Sequence, residues 1–184
     1  MKVVFLDRDG VINIDNHYVY KWEDFEFTPF AINAMKDLKS SGFKLIIITN
    51  QSGIARGYYT EEDLFELNNK MKDYLKNYGV DILDIYYCPH LPNAKLLRYA
   101  INCECRKPKP GMIKKAALDY NIDLKSSFLI GDKMSDIRAA ELAGVGKALL
   151  IDKTQKIYKN FNLKHEMIFP NIKACSEYII SKNI

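Results

Sequence analysis

Short uninterrupted apolar runs alternate along this chain with longer stretches whose apolar positions recur every three or four residues. Val3-Val4-Phe5-Leu6, Leu45-Ile46-Ile47-Ile48 and Phe128-Leu129-Ile130 show no inside–outside alternation. Such runs read as strands of a parallel sheet buried on both faces. Between them, Ile32, Met35 and Leu38 mark one face of a helix from Pro29 to about Ser41, ended by Gly42. A strand from Phe43 to Ile48 follows. Thr60-Glu61-Glu62-Asp63 reads as a cap and acidic first turn for a helix reaching about Tyr78, with Leu64, Leu67, Met71 and Leu75 as its buried stripe. The same reading gives a short strand at Asp84–Tyr87, a helix from Pro110 to about Tyr120 and a strand at Ser127–Ile130. A helix at Met134–Ala143 ended by Gly144, a strand at Lys147–Ile151 and a last helix near Ile172–Ile180 complete it. Regular β/α alternation predicts a doubly wound, Rossmann-like, mostly parallel α/β sheet, expected to form one domain over 1–184.

The polar residues that end three of these strands carry the chemistry. In an open parallel sheet, ligands bind beyond the carboxyl ends of the strands. Asp7, Thr49 and Asp132 stand at three such ends, so one crevice is expected to receive all three. In Asp7-Arg8-Asp9-Gly10 the two acids lie two residues apart and can face one ligand. Carboxylates that close repel unless one is protonated or a cation lies between them. The same segment also fits an Asx-turn closed by Gly10, and Thr49 also fits a cap. Oxygen ligands from Asp7, Asp132 and a backbone carbonyl near Asp9 would suit Mg²⁺. Arg106-Lys107-Pro108-Lys109-Pro110 brings fixed positive charge to a helix start, a favourable place for an anion, though a solvated basic loop has the same composition.

Cys88-Pro89-His90 and Cys103-Glu104-Cys105 are separated by twelve residues within an aperiodic stretch, 88–107. Three thiolates and an imidazole form a closed tetrahedral Zn²⁺ set, with no open position for water. Zinc is therefore expected to be structural, ordering the loop that carries Arg106 and Lys107. Disulfides are the poorer alternative in a reducing cytoplasm. Cys175 has no visible partner and is expected to be buried.

Composition excludes more than it selects. With 48% hydrophobic and 27% charged residues the chain is ordinary for a globular protein, and its net charge of +4 only mildly favours an anionic ligand. No apolar run approaches the roughly 18 residues of a membrane span. The N-terminus lacks the apolar segment of a signal peptide, so a cytoplasmic location without membrane contact is expected. No basic stripe with interleaved aromatics suggests nucleic acid.

Asp7-x-Asp9-Gly10, Thr49-Asn50, Lys107 and Gly131-Asp132-x-x-x-Asp136 resemble, in this order, the four signature motifs of the haloacid dehalogenase superfamily of phosphatases. Three longer segments, 7–13, 49–57 and 105–112, are similar to its heptose-bisphosphate branch, in which D-glycero-D-manno-heptose 1,7-bisphosphate loses its 7-phosphate during ADP-heptose and lipopolysaccharide core synthesis. Histidinol-phosphate phosphatase is the near alternative. A zinc-stabilised binding module with vestigial catalytic residues is the alternative of another class. The resemblance implies Asp7 as nucleophile, Asp9 as acid and then base, and Thr49 and Lys107 as stabilisers of the phosphoryl oxygens. It implies Mg²⁺ at Asp7, Asp9 and Asp132, with Asp136 orienting the metal's surroundings or Lys107. It also agrees with Zn²⁺ at Cys88, His90, Cys103 and Cys105.

Only about twenty residues separate Asp9 from Pro29, too few for an independent cap domain. Selectivity is then expected from loops. Asp15, Asn16, His17 and Tyr18 are candidates for sugar hydroxyls, although a polar surface turn fits them equally. Arg106 is a candidate for a second phosphate, and Asn50, Gln51, Ser52 and Lys133 are further candidate substrate contacts. The expected partner is a small sugar phosphate, bound by a monomer.

Overall fold

In a computed structural model, which describes residues 1–152 and 167–182, six parallel strands form one sheet in the order β3-β2-β1-β4-β5-β6. The strands are β1 (Val3–Leu6), β2 (Lys44–Asn50), β3 (Ile82–Cys88), β4 (Phe128–Gly131), β5 (Lys147–Ile151) and β6 (Ile168–Phe169). The helices are α1 (Ala31–Ser40), α2 (Gly53–Arg56), α3 (Glu61–Asn77), α4 (Gly111–Tyr120), α5 (Met134–Ala143) and α6 (Ile172–Ser181).

The apolar runs are uninterrupted because helices cover both faces of the sheet. Val4 and Leu6 of β1 point into a core shared with α1, α3 and α6, whereas Val3 and Phe5 point into one shared with α4 and α5. All four residues are fully buried. Strand β2 divides in the same way, with Leu45 and Ile47 on one side and Ile46 and Ile48 on the other. Helix α3 begins with a capping box in which Thr60 accepts from the Asp63 N–H and Asp63 accepts from the Thr60 N–H.

The chain builds outward from β1 through β2 to β3, then returns to place β4 on the other side of β1. That reversal leaves a crevice between the β1 and β4 carboxyl ends, where open α/β sheets bind ligands. Asp7 and Asp132 follow those two strands directly. Between β1 and α1 lie only one 3₁₀ turn, Trp22–Asp24, and isolated bridges joining Asn13 to Asp9 and Phe27. No helix among the described residues is long and apolar enough to cross a membrane.

Some boundaries differ from the sequence expectation. Strand β3 runs from Ile82 to Cys88, because pairing with β2 extends it at both ends beyond its apolar centre. Helix α1 begins at Ala31 behind Phe30, whose φ of +69° is left-handed, and not at Pro29. Helix α2 and strand β6, with four and two residues, are too short to leave a periodic signal. The expected last helix is α6, and Cys175 is fully buried within it. The chain immediately beyond Lys153, including His165, lies outside the described residues.

Leu129 sits fully buried at the centre of β4. Leu129→Ala should lower the unfolding free energy by about 2–5 kcal/mol in urea titrations at unchanged m-value. A loss below about 0.5 kcal/mol would contradict this packing.

Candidate active site

Lys107, 4% exposed, is the positive centre of the crevice. Its Nζ lies 2.9 Å from Asp7 Oδ1 and 2.6 Å from Asp136 Oδ1, and donates to the Ile48 carbonyl at 3.0 Å. The Lys107 loop is tied to the end of β2 through Asn50. Asn50 Nδ2 donates to the Lys107 carbonyl at 3.1 Å, and the Lys107 N–H donates to Asn50 Oδ1 at 3.0 Å. The ammonium therefore reaches both carboxylates from a fixed backbone.

Asp7, Asp132 and Asp136 bring carboxylate oxygens within 4.8 Å of one another. Three negative groups against one shared ammonium leave an excess of two charges, which Lys133, 3.9 Å from Asp132, offsets only in part. Burial, opposed by Lys107 and assisted by Asp136 and Asp132, pushes the Asp7 carboxyl up to about 7. Asp132 rises to about 6, first through burial, with Lys133 opposing. Lys107 moves upward despite its burial because Asp7 and Asp136 hold its proton. The two partners of one ion pair thus shift in opposed senses for stability: the lysine gains from the pair, while Asp7 has too many carboxylates beside it. A cation is what such a cluster lacks. Asp132 Oδ1 is buried without a hydrogen-bond partner, a free oxygen of the hard type that Mg²⁺ takes. Gly10, at φ +90°, makes room for it, since a Cβ there would meet Asp132 Oδ2 at 2.1 Å.

Asp9 stands apart from this cluster. Its carboxylate accepts from Arg8 Nη2 at 2.9 and 3.1 Å, from Asn13 Nδ2 at 3.0 Å and from Gln51 Nε2 at 2.9 Å. Only its backbone is left to serve a metal. Asp7 Oδ1 accepts from the Arg8 N–H as well as from Lys107, which leaves Oδ2 for a reacting atom. Asp136 Oδ2 accepts from the Lys133 N–H at the start of α5 and so holds the segment after Asp132.

A cavity of about 360 Å³ opens over these groups, lined by Asp7, Asp9, Thr49 and Lys107 together with Asp15, His17, Tyr18, Asn50, Gln51, Ser52, Arg106 and Lys133. Asn16 does not line it, and its N–H is turned back to the Ile14 carbonyl. Two expected substrate contacts have other engagements: the Asn50 amide holds the Lys107 loop, and Gln51 is buried with its amide spent on Asp9 and Thr49. Lys133 Nζ pairs with Asp15 Oδ2 at 3.0 Å across the rim. Burial alone would raise Asp15, but Lys133 and the His17 N–H hold it below the usual carboxylate range. His17 and Tyr18 both have φ of 57°, a left-handed pair that non-glycine residues rarely form and that directs this loop over the cavity. Tyr59 and Ser135 also line the cavity. Sequence reasoning missed both, although Ser135 sits between Asp132 and Asp136.

Cys88, His90, Cys103 and Cys105 converge beside the Lys107 loop. Their donor atoms lie within 4.8 Å of one another, with Cys105 Sγ at 2.9 Å from Cys88, 3.2 Å from Cys103 and 3.4 Å from His90 Nδ1. All four cysteines of the chain are free thiols. Arg106 Nη1 donates to the His90 carbonyl at 3.2 Å, which joins the cluster to the cavity wall. Gly111 lets α4 start against this loop, its N–H on the Glu104 carbonyl at 2.9 Å where any Cβ would clash.

Residues 2–172 match the protein family described as polynucleotide kinase 3 phosphatase. A D-glycero-alpha-D-manno-heptose-1,7-bisphosphate 7-phosphatase of Photorhabdus laumondii is 51% identical over 151 residues, 82% of each chain. A D-glycero-beta-D-manno-heptose-1,7-bisphosphate 7-phosphatase of the same organism is 49% identical over 148 residues, 80% of this chain and 79% of that one. The solved D,D-heptose 1,7-bisphosphate phosphatase of B. bronchiseptica, complexed with magnesium and phosphate, has a TM-score of 0.87 at 30% identity, covering 99% of both chains.

The raised Asp7 carboxyl predicts how a cation and protons compete. Between about pH 4 and 7 the metal-free native state binds more protons than the unfolded chain, so its stability falls as pH rises through that window. A divalent cation relieves the same repulsion. The rise in melting temperature on adding Mg²⁺ should therefore be larger at pH 8 than at pH 5 in thermal scans. An equal rise at both values would contradict the electrostatics described.

Proposed function

This chain belongs to the polynucleotide kinase 3 phosphatase family within the haloacid dehalogenase superfamily, and we propose that it removes the 7-phosphate from D-glycero-D-manno-heptose 1,7-bisphosphate. It is a phosphatase, a hydrolase of phosphoric monoesters. The observation that carries the reading is the placement of Lys107 between Asp7 and Asp136 at the β1/β4 reversal, beneath a cavity with Asp9 on its wall. The family is described by polynucleotide phosphatases, yet the heptose phosphatases match at up to 51% identity, and the sequence has no basic stripe for a nucleic acid.

The reaction proceeds in two halves. Asp7 Oδ2 attacks phosphorus, the bond from phosphorus to the sugar oxygen breaks, and Asp9 gives that oxygen its proton. An aspartyl-phosphate remains. Asp9, now a carboxylate, takes a proton from water, the water oxygen attacks phosphorus, and the bond to Asp7 breaks, which frees phosphate and restores the Asp7 carboxylate and the Asp9 carboxylic acid. Lys107 and the Thr49 hydroxyl hold the equatorial oxygens, where transition-state charge accumulates. Mg²⁺ held by Asp7, Asp132 and the Asp9 backbone carbonyl would supply further neutralisation of the phosphoryl group. Arg106 and Lys133, on the cavity wall, suit the 1-phosphate, while Asp15, His17, Tyr18 and Ser52 suit the sugar hydroxyls.

Zn²⁺ on Cys88, His90, Cys103 and Cys105 is supported by the close approach of four donors of a tetrahedral set. It would act structurally, fixing the loop that leads into Arg106 and Lys107. A reducing cytoplasm, the compartment proposed here, would keep these cysteines available as ligands. The catalytic groups Asp7, Asp9, Thr49 and Lys107 line one cavity, and we read the chain as a single-domain monomer.

Phosphate release from the α and β anomers of the bisphosphate and from histidinol phosphate tests the substrate. A heptose anomer should give the highest kcat/KM; a preference for histidinol phosphate would overturn the choice. Asp7→Asn should lose at least about a thousandfold in kcat while melting as a folded protein. Near-wild-type turnover in that variant would refute the nucleophile. Removal of zinc with a chelator should lower activity and melting temperature together, and an unchanged melting temperature would rule out a structural role.

A further inference from the structure

Gln51, expected at the substrate, lines the cavity and also bonds to its neighbours there. The side chain is 2% exposed. Its Nε2 donates to Asp9 Oδ2 at 2.9 Å and to Thr49 Oγ1 at 2.8 Å. Its Oε1 accepts from the Tyr59 hydroxyl and, at 3.5 Å, from Arg8 Nη2. This orientation of the amide follows from Arg8, which can only donate, so that Oε1 faces the guanidinium and Nε2 faces Asp9. Tyr59 is buried at 5% exposure, and desolvation raises its phenol well above the usual range, so it stays a donor. Gly53 fits against the Tyr59 ring, since a Cβ there would lie 2.1 Å from it.

We infer that Gln51, braced by Tyr59, is a positioning residue that sets the proton-transferring Asp9 and the phosphate-contacting Thr49 with one amide. A hydroxyl that accepts from Gln51 has its own hydrogen left for a phosphoryl oxygen, so the Thr49 donor is aimed into the cavity. The second amide hydrogen fixes the Asp9 carboxylate relative to the same phosphoryl group. Distance between the acid and the leaving oxygen is thereby tied to how the phosphate is seated. The inference rests on the two-step reading above, with Asp9 as the acid.

The test uses leaving groups that differ in their need for a proton. A sugar alkoxide leaves poorly without one, whereas p-nitrophenolate leaves readily. The parameter kcat/KM reports steps only through departure of the leaving group, so later water attack does not obscure it. Gln51→Leu should reduce kcat/KM for the heptose bisphosphate by about a hundredfold, the scale of a misplaced general acid. For p-nitrophenyl phosphate the loss should be at least about tenfold smaller. Tyr59→Phe deletes one buried hydroxyl and should show the same ordering at lower amplitude, which keeps the test available if Gln51→Leu does not fold. Equal losses on both esters in both variants, or no loss, would reduce Gln51 to packing and overturn the inference while leaving the proposed reaction intact. A wild-type enzyme that hydrolyses the aryl ester but not the heptose bisphosphate would instead sink the proposed function, and this inference with it.

Discussion

A single buried ammonium shared between Asp7 and Asp136 governs this site. Burying three carboxylates at the end of a hydrophobic sheet is costly unless positive charge accompanies them. Lys107 supplies part of that charge, and the remaining deficit is what makes the crevice receptive to a divalent cation. An anionic phosphoryl group would meet less repulsion once that positive charge is completed. The carboxylates that could hold a divalent cation thus include Asp7 itself, and neither that cation site nor the surroundings of Asp7 can be altered alone.

The ammonium has to be held where it is, and the chain does this twice. From the sheet, Asn50 at the end of β2 forms two hydrogen bonds with the backbone of Lys107. From the other side, the Cys88, His90, Cys103 and Cys105 cluster anchors the preceding residues, with Arg106 bonded back to the His90 carbonyl. An aperiodic loop of this length has few contacts of its own to set against the entropy of ordering it. Ligand bonds to a metal would offset that cost, which is the physical reason for a metal set so near a lysine that cannot be allowed to wander.

The sheet and the crevice were legible in the sequence because they depend on local pattern. Unbroken apolar runs mark strands covered on both faces, and the residue after each run necessarily falls at a strand end. Asp7, Thr49 and Asp132 needed no more than that. Lys107 and the cluster of three cysteines with a histidine were legible by residue type and spacing. The hydrogen bonds of Asn50 and Gln51 were not, because a side-chain amide can serve a ligand or its neighbours, and only the directions of Lys107, Asp9 and Thr49 show which neighbours it meets. Arg8 and Tyr59 were silent for the same reason: nothing in the sequence indicates that a fully buried guanidinium closes on the adjacent carboxylate. Asn16 lies off the cavity lining because neighbours in a loop do not share one direction. Its N–H folds back on Ile14 while Asp15 and His17 reach the cavity.

The central claim is that the Asp7 carboxylate forms a covalent bond to phosphorus. Rapid quenching of enzyme and substrate, reduction of any acyl phosphate with borohydride and mass spectrometry of the N-terminal peptide test this directly. The account predicts homoserine at position 7 only when substrate was present before the quench. Modification at Asp9 in its place, or an unmodified peptide from enzyme quenched during steady turnover under conditions where the burst of leaving group shows the second step to be limiting, would contradict it.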